Sequence, residues 1–189
     1  MESALIISST DNFLDFLSES LTSASVSQIV TLRTCGEARR ILLERDFDLV
    51  IVNAPLRDET GEDLSRYIAS KGCAQVILMV KSEYFDAVSL NLEGDGILTV
   101  SKPVNKSVFW SALMLAKSAQ GRLKKIQAEN AKLKKKIEDI RIIDRAKIIL
   151  VSYMNMSEKE AHRYIEKQAM DERSTRRIVA EGILKTYEY

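Results

Sequence analysis

Residues 48–53 read Asp48-Leu49-Val50-Ile51-Val52-Asn53, with four consecutive apolar residues between two polar ones. A short apolar run without polar alternation is typical of a strand that is covered on both faces, as strands are in parallel sheets. Three similar runs and one weaker candidate occur before residue 105: Ala4–Ile7, Val76–Val80, Ile97–Val100 and, as the weaker one, Gln28–Leu32. The sequence therefore predicts five strands in the first part of the chain.

Helical patterns separate these runs, as between Phe13 and Leu21. Strands that alternate with helices favour an α/β fold with a doubly wound, five-stranded parallel sheet. Beyond the fifth run, Asn105 is a candidate N-cap, and no proline follows Pro103. We therefore expect one long helix to begin near residue 106.

Two short helices are predicted after the long one. Ser157 and Glu160 form a capping box for the first of them, and Ser174 is the candidate N-cap of the second. With the end of the long helix they make a small, three-helix, all-α domain.

The predicted long helix carries a heptad pattern of apolar residues with one asparagine at an a position. We call these six residues the seam: Leu123 (a), Ile126 (d), Asn130 (a), Leu133 (d), Ile137 (a) and Ile140 (d). A single asparagine at an a position favours a parallel, two-stranded coiled coil, because paired asparagines hydrogen-bond only in matched register. The sequence therefore predicts a homodimer joined along the seam.

The charge reverses along the chain. Residues 1–116 hold 10 Lys and Arg against 16 Asp and Glu, a net charge of −6, whereas residues 117–189 hold 18 against 11, a net charge of +7. We expect an acidic domain at 1–120, a coiled-coil linker at 121–140 and a basic domain at 141–189. A basic tail of this kind favours a polyanionic partner.

Catalytic and metal-binding patterns are missing from the sequence. Cys35 and Cys73 fit no CxxC motif, and His162 has no second ligand at a metal-binding spacing. We expect no enzyme activity, no cofactor and no metal. No apolar stretch approaches the ~18 residues of a membrane span, and the first residues lack a basic signal region. These features predict a soluble, cytoplasmic protein with no membrane partner.

The first domain resembles the receiver domain of response regulators. In that family an acidic pair follows the first strand, an aspartate that accepts a phosphoryl group ends the third, a hydroxyl residue ends the fourth, and Lys-Pro follows the fifth. This chain has Ser8 and Ser9 in place of the acidic pair, Asn53 in place of the aspartate and Lys81 in place of the hydroxyl residue, whereas Lys102 and its proline are kept.

These replacements remove the chemistry of phosphorylation. Phosphoryl transfer to aspartate needs a carboxylate nucleophile and a divalent cation with hard oxygen ligands. The resemblance therefore implies a pseudo-receiver that works without phosphorylation, in which Lys102 donates to Asn53 and to nearby carbonyl groups. Our hypothesis is that this domain controls dimer formation or exposure of the tail by binding another protein or a small ligand.

The tail resembles the ANTAR family, an RNA-binding transcription antitermination domain. The residues that carry the resemblance are Arg141–Leu150 for the first helix, Ser157-Glu158 with Ala161, Tyr164 and Ala169-Met170 for the second, and Val179-Ala180 with Ile183-Leu184 for the third. Ile148 departs from the family, which commonly has glycine there. The resemblance implies binding, as a dimer, to paired stem-loop RNAs in nascent leader transcripts, with RNA polymerase affected only indirectly.

Basic and aromatic side chains of the tail are the candidate RNA ligands, because cations contact phosphates and guanidinium planes or rings stack on unpaired bases. They are Arg145, Lys147, Arg163, Tyr164, Arg173, Arg176 and Arg177. Each arginine could instead lie on a solvated helix face or pair with Glu166 or Glu172, and Tyr164 could equally fill the core.

Two other functions remain open from the sequence. A DNA-binding response regulator would use the three basic helices as a helix-turn-helix, although no recognition helix with groove-facing Asn, Gln and Arg is evident. A non-catalytic dimeric scaffold would use the basic tail to dock an acidic partner protein.

Overall fold

The computed structural model describes residues 1–11 and 13–187 of the 189-residue chain. Its elements are β1 (Ser3–Ser8), α1 (Leu14–Ser23), β2 (Gln28–Leu32), α2 (Cys35–Glu44), β3 (Leu49–Asn53), α3 (Glu62–Lys71), β4 (Gln75–Lys81), α4 (Ser82–Leu92), a 3₁₀ turn (Glu93–Asp95), β5 (Leu98–Lys102), α5 (Lys106–Met154), α6 (Glu158–Asp171) and α7 (Arg176–Tyr187). They form two compact units, Met1–Lys125 and Ile126–Tyr189.

The first unit contains a five-stranded, fully parallel sheet in the order β2-β1-β3-β4-β5. The predicted α/β fold is therefore confirmed, including the weak candidate Gln28–Leu32, which is the edge strand β2. Its side chains are partly exposed, and this explains why its apolar pattern is less continuous than that of the central strand Leu49–Asn53.

Helices cover both faces of this sheet. On one face α1 and α5 pack against alternate residues of the central strands, through Leu17 and Phe109 among others. On the other face α2, α3 and α4 pack through residues such as Leu42, Leu64 and Val88. Burial on both faces is the physical reason for the uninterrupted apolar runs in the sequence.

A buried carboxylate joins the long helix α5 to the amino end of the sheet. Asp48 accepts hydrogen bonds from the backbone amides of Glu2, at 2.5 Å, and Ser3, and forms an ion pair with Lys124 at 2.8 Å. Burial by itself raises the pKa of the Asp48 carboxyl, but Lys124 and the two amides more than offset this, so the net pKa lies below its usual value.

We expect Asp48→Asn to lower the free energy of unfolding by about 1 kcal/mol at neutral pH, because the substitution removes a half-enclosed ion pair and weakens two hydrogen bonds. A carboxyl whose pKa is depressed by folding stabilises the protein above its unfolded pKa of about 4 and loses that effect as the pH falls through the folded pKa. The difference between wild type and variant should therefore be present at pH 7 and shrink in acid. Urea unfolding across this pH range measures it.

Asp46→Asn is the matched control for this substitution, because Asp46 is an exposed neighbour on the same loop. Its free energy of unfolding should stay within about 0.5 kcal/mol of wild type. Equal stability of Asp48→Asn and Asp46→Asn at pH 7 would contradict the role given to Asp48.

The long helix α5 begins where the sequence predicts. The Asn105 side chain accepts a hydrogen bond from the Val108 amide at 2.8 Å, as an N-cap does. The helix then continues without a break through Gly121 to Met154. Within the described residues, no helix combines the length and the apolarity that crossing a bilayer requires.

In the second unit, the end of α5 packs with α6 and α7 around a core of small and branched residues: Ala146, Leu150, Ala161, Ile165, Ala169, Val179 and Ala180. The capping box of Ser157 and Glu160 starts α6 as predicted. The prediction of Ser174 as the N-cap of α7 was wrong. Thr175 has this role, accepting from the Ile178 amide at 3.3 Å, because the Ser174 amide completes the turn that ends α6.

Candidate functional site

The residues predicted to form the degenerate phospho-acceptor pocket lie at one edge of the sheet. Ser8, Asn53, Lys81 and Lys102 are the last residues of β1, β3, β4 and β5, and Ser9 follows Ser8. In parallel sheets such carboxyl ends form the usual binding edge, at the point where the strand order reverses. Ser8 is paired in register with Asn53, and Lys81 with Lys102.

Asn53 connects this pocket through both ends of its amide group. Its Nδ2 donates to Ser8 Oγ at 3.0 Å and to Thr10 Oγ1 at 3.4 Å, while its Oδ1 accepts from Lys102 Nζ at 2.8 Å. A lysine ammonium can only donate, and this fixes the orientation of the amide. A carboxylate at this position would have to accept from the two hydroxyl groups instead, with their hydrogens turned toward it.

The Lys102 ammonium has no anionic partner in this network. Besides Asn53 it donates to the Ala54 carbonyl oxygen, and both acceptors are neutral. Burial lowers the pKa of Lys102, and the positive charge of Lys81 lowers it further. Lys81 itself lies exposed, and its ammonium is 3.6 Å from the Glu83 carboxylate. Two cations thus stand side by side at the edge of the sheet where Ser8, Ser9 and Asn53 replace the acidic residues of the receiver family.

A cleft of about 390 Å³ opens beside this pocket, between the end of β3 and helix α4. Its lining residues are Ala54, Pro55, Thr60, Glu62, Val80, Lys81, Tyr84, Ala87 and Val88. Sequence reasoning identified Lys81 but missed the cleft, because the wall is assembled from three separate segments that share no spacing pattern.

One group of potential metal ligands occurs among the described residues, formed by Cys35, Asp58 and Glu59. Each member already has a structural role. Asp58 accepts from the amides of Cys35 and Gly36 at the start of α2, and Glu59 pairs with Arg39 at 2.6 Å. Burial, with the nearby carboxylates, raises the pKa of the Cys35 thiol to about 12, which disfavours the thiolate that a metal would require.

In the second unit, the Arg177 guanidinium binds carboxylates of its own chain. It lies 2.7 Å from Asp139, 2.8 Å from Glu181 and 3.7 Å from Glu138. Hydrogen bonds to Asp139 and Glu181 raise the pKa of Arg177. These contacts tie α7 to α5, so the structure gives Arg177 an architectural role.

Lys147 is held in a similar way, at 2.8 Å from Asp144 and 3.3 Å from Glu158. The hydrogen bond to Asp144 is the main reason that the pKa of Lys147 is raised. Arg176 pairs with Glu166 at 3.1 Å, one of the two carboxylates named as alternatives from the sequence. Arg145 lies exposed.

The exposed face of α6 carries other predicted ligands. Arg163 is exposed, and Lys167 and Met170 lie on the same face at helical spacing. Tyr164 is partly buried and packs against the core, which supports the alternative of a core residue. His162 is exposed and its Nε2 is 3.3 Å from Glu166.

The turn between α6 and α7 places a non-glycine residue in the left-handed backbone conformation. The Arg173 amide donates to the Met170 carbonyl and the Ser174 amide to the Ala169 carbonyl, the two bonds of a Schellman motif. The central position of this motif favours glycine, yet Arg173 occupies it with a φ of 50°. A non-glycine residue in this conformation costs about 1 kcal/mol.

A second cleft, of about 610 Å³, lies at this turn. We call it the turn cleft; it is lined by Glu166, Ala169, Met170, Arg173, Ser174, Thr175 and Arg176. The Ser174 hydroxyl oxygen is buried and has no hydrogen-bond partner within the described part of the chain, and the Met170 side chain is 78% exposed. Sequence reasoning found Arg173 and Arg176 but not Met170 and Ser174 as lining residues.

The seam residues are open to solvent in the single chain. The exposed fractions of Ile126, Leu133, Ile137 and Ile140 lie between 51% and 58%, Asn130 is exposed, and Leu123 is partly exposed. A row of apolar side chains this exposed on a helix is typical of a surface that packs against another helix.

Comparison with known proteins identifies the tail first. The family model of the ANTAR domain matches residues 131–184. Transcriptional regulatory protein PdtaR from two strains of Mycobacterium tuberculosis, CDC 1551 / Oshkosh and H37Rv, is 30% identical over 139 residues, which cover 74% of this chain and 68% of the relative.

Solved structures show the fold of the first unit. The signal receiver domain of an HD domain-containing protein from Pseudomonas fluorescens Pf-5 aligns with a TM-score of 0.57 at 24% identity, over 66% of this chain and 92% of that domain. A response regulator receiver domain protein from Clostridium thermocellum aligns with a TM-score of 0.57 at 21% identity, over 65% and 99%. Together with the match to PdtaR, these findings show that the chain belongs to the family of response regulators that join a receiver-like domain to a C-terminal ANTAR domain.

Proposed function

We propose that this protein is a cytoplasmic transcription antitermination regulator that binds stem-loop RNA in nascent leader transcripts as a parallel homodimer. Its first unit acts as a pseudo-receiver whose signal does not require phosphorylation. The ANTAR match and the relationship to a transcriptional regulatory protein support the regulatory role. The proposal requires no catalytic step and no cofactor.

The turn cleft carries the RNA part of this proposal. An unpaired base offers a flat ring and hydrogen-bonding edges, and the cleft offers the guanidinium groups of Arg173 and Arg176 and the exposed Met170 side chain. Arg163 and Lys167 extend the basic surface along α6 and suit the phosphates that flank such a base.

Of the candidate RNA ligands, Lys147 and Arg177 are the least available for contact with RNA. Both cations already bind two or more carboxylates of their own chain, so contact with a phosphate would require exchange of these partners. We propose that they fix the three helices that present the turn cleft, while Arg145 and Tyr164 flank the RNA surface.

The exposed seam supports the homodimer. Pairing two chains in parallel buries its apolar residues and places two copies of the RNA-binding unit on one particle. Binding two hairpins of one transcript together raises the overall affinity by about 10²–10⁴-fold when the spacing permits it.

A gel-shift series separates this function from the two alternatives. The intact protein is titrated with tandem hairpin RNA, with duplex DNA of the same length and with one strand of that DNA. Each titration is repeated over a range of salt concentrations. We expect hairpin RNA to bind best and its affinity to fall steeply with salt. Preferred binding to duplex DNA would favour a DNA-binding regulator, and no binding to any nucleic acid in dilute buffer would favour a scaffold.

The pseudo-receiver assignment is tested by Asn53→Asp. We expect this variant to remain unphosphorylated by acetyl phosphate, because Ser8 and Ser9 cannot hold the divalent cation that phosphoryl transfer needs and Lys102 pairs with the new carboxylate. Intact-mass spectrometry after incubation with Mg²⁺ and acetyl phosphate measures the result. A thermal melt shows whether the variant is folded. A phosphoryl adduct on residue 53 that hydroxylamine removes would overturn the assignment.

A further inference from the structure

The pocket at the carboxyl edge of the sheet has lost its negative charges and kept its cation. Ser8 and Asn53 form a neutral network, and among the residues that the structure describes the partly buried Lys102 ammonium is bonded only to neutral oxygens. A cation that is partly removed from water without a counter-ion is unfavourable, and an anion placed beside it would relieve this cost.

A second lysine and an apolar cleft adjoin this cation. Lys81 is the register partner of Lys102 at the ends of β4 and β5, and it also lines the cleft of about 390 Å³ beside α4. Most of the remaining wall is apolar, from Ala54, Pro55 and Val88 with the ring of Tyr84. The positive end and the apolar body together fit a small amphiphilic molecule better than a simple inorganic ion.

We propose that the pseudo-receiver binds a small organic carboxylate, with its charged group at Lys81 and Lys102 and its apolar part in the cleft. Glu62, which also lines the cleft, repels further negative charge, so the site favours a single carboxylate over a phosphate ester with two charges. This inference names the chemical class of the signal in the proposed function. Only the regulatory role of the bound carboxylate rests on that function.

The route from the site to the rest of the first unit runs through helix α4. Lys81 directly precedes α4, and the Tyr84, Ala87 and Val88 side chains that line the cleft all belong to this helix. An occupant would therefore fix α4 against the end of β3. Binding would favour one position of the helix, and the NMR signals of the backbone amides in α4 would shift as a result.

Phenylacetate is the probe for this site, because it joins one carboxylate to one apolar ring. Phenylacetamide is its neutral control of the same shape, and inorganic phosphate tests for charge alone. Each is titrated into the full-length, ¹⁵N-labelled protein, and the amide shifts of residues 54–62 and 80–88 are followed. We expect phenylacetate to saturate these shifts with an affinity about 10-fold or more above that of phenylacetamide and phosphate.

Two variants locate the binding. Lys81→Gln removes one exposed cation and should weaken phenylacetate binding by about 3- to 10-fold. Lys117→Gln replaces an exposed lysine of α5 whose ammonium contacts the Ala24 carbonyl oxygen instead, and it should leave binding unchanged. Ala87→Phe fills the cleft and should abolish saturation.

Equal affinity for phenylacetate and phenylacetamide, or shifts that persist in Ala87→Phe, would overturn the proposal. Because RNA is absent from this experiment, its failure leaves the antitermination function untouched. Conversely, binding of phenylacetate without binding of hairpin RNA would contradict only the proposed function.

Discussion

Replacing Leu133 and Ile137 together with aspartate should convert the protein to a monomer. The two carboxylates would lie at d and a positions of the seam, where a paired helix excludes water and a charge without a partner is costly. Loss of the dimer should lower the affinity for RNA with two hairpins by about 10²–10⁴-fold, while the affinity for one hairpin should change little. Sedimentation and titration with one- and two-hairpin RNAs measure both effects.

The chain offers a matched control for this variant. Ala128 and Ala131 lie at f and b positions of the same heptads and are exposed, so replacing both with aspartate adds the same charge outside the seam. We expect this control to stay dimeric and to keep the preference for two hairpins. A monomer in both variants would point to a general effect of charge, and a dimer in both would contradict the seam.

The second large effect is expected from Arg173→Gly, which should reduce RNA affinity by about 5- to 150-fold, the equivalent of about 1–3 kcal/mol of stacking on one base. The stability should change by less than about 1 kcal/mol, because glycine relieves the left-handed backbone strain at this position while gaining entropy in the unfolded chain. Binding is measured by titration with hairpin RNA, and stability by thermal unfolding.

Asn155→Gly provides the same backbone change away from the turn cleft, because Asn155 also has a positive φ, of 53°. Its RNA affinity should match that of wild type. Arg173→Lys keeps the charge but loses the guanidinium plane, so an intermediate affinity would support stacking. Full RNA affinity in Arg173→Gly would remove the turn cleft from the proposed function.

The fold could be predicted from the sequence wherever the burial of a helix or strand produces a recognisable pattern of apolar residues. The strand Leu49–Asn53 is buried on both faces and was predicted nearly to the residue, and the capping box of Ser157 and Glu160 was predicted because its partners lie close in sequence. Ser174 was misplaced since its amide closes a turn with Ala169, a constraint that no side-chain pattern reveals.

The candidate sites were accessible only in part. Parallel strands bring their ends together, so the meeting of Asn53 and Lys102 followed from the fold and is observed at 2.8 Å. The carboxylate partners of Arg177 were not foreseen, because Asp139 lies on another helix, 38 positions earlier. The cleft beside α4 was missed because its wall comes from three separate segments. The turn cleft lies within the single stretch 166–176, and it was missed because the uncharged lining residues Met170 and Ser174 carry no pattern that marks a cleft.

The continuity of α5 has a consequence for how this chain can change in length. Within the second unit the same helix carries the seam up to Ile140 and the core residues Ala146 and Leu150. Each residue added or removed between them would turn one face by about 100° with respect to the other. Insertions and deletions in 141–145 should therefore be disfavoured unless they restore the angular phase, so related chains should keep the number of residues in this short stretch.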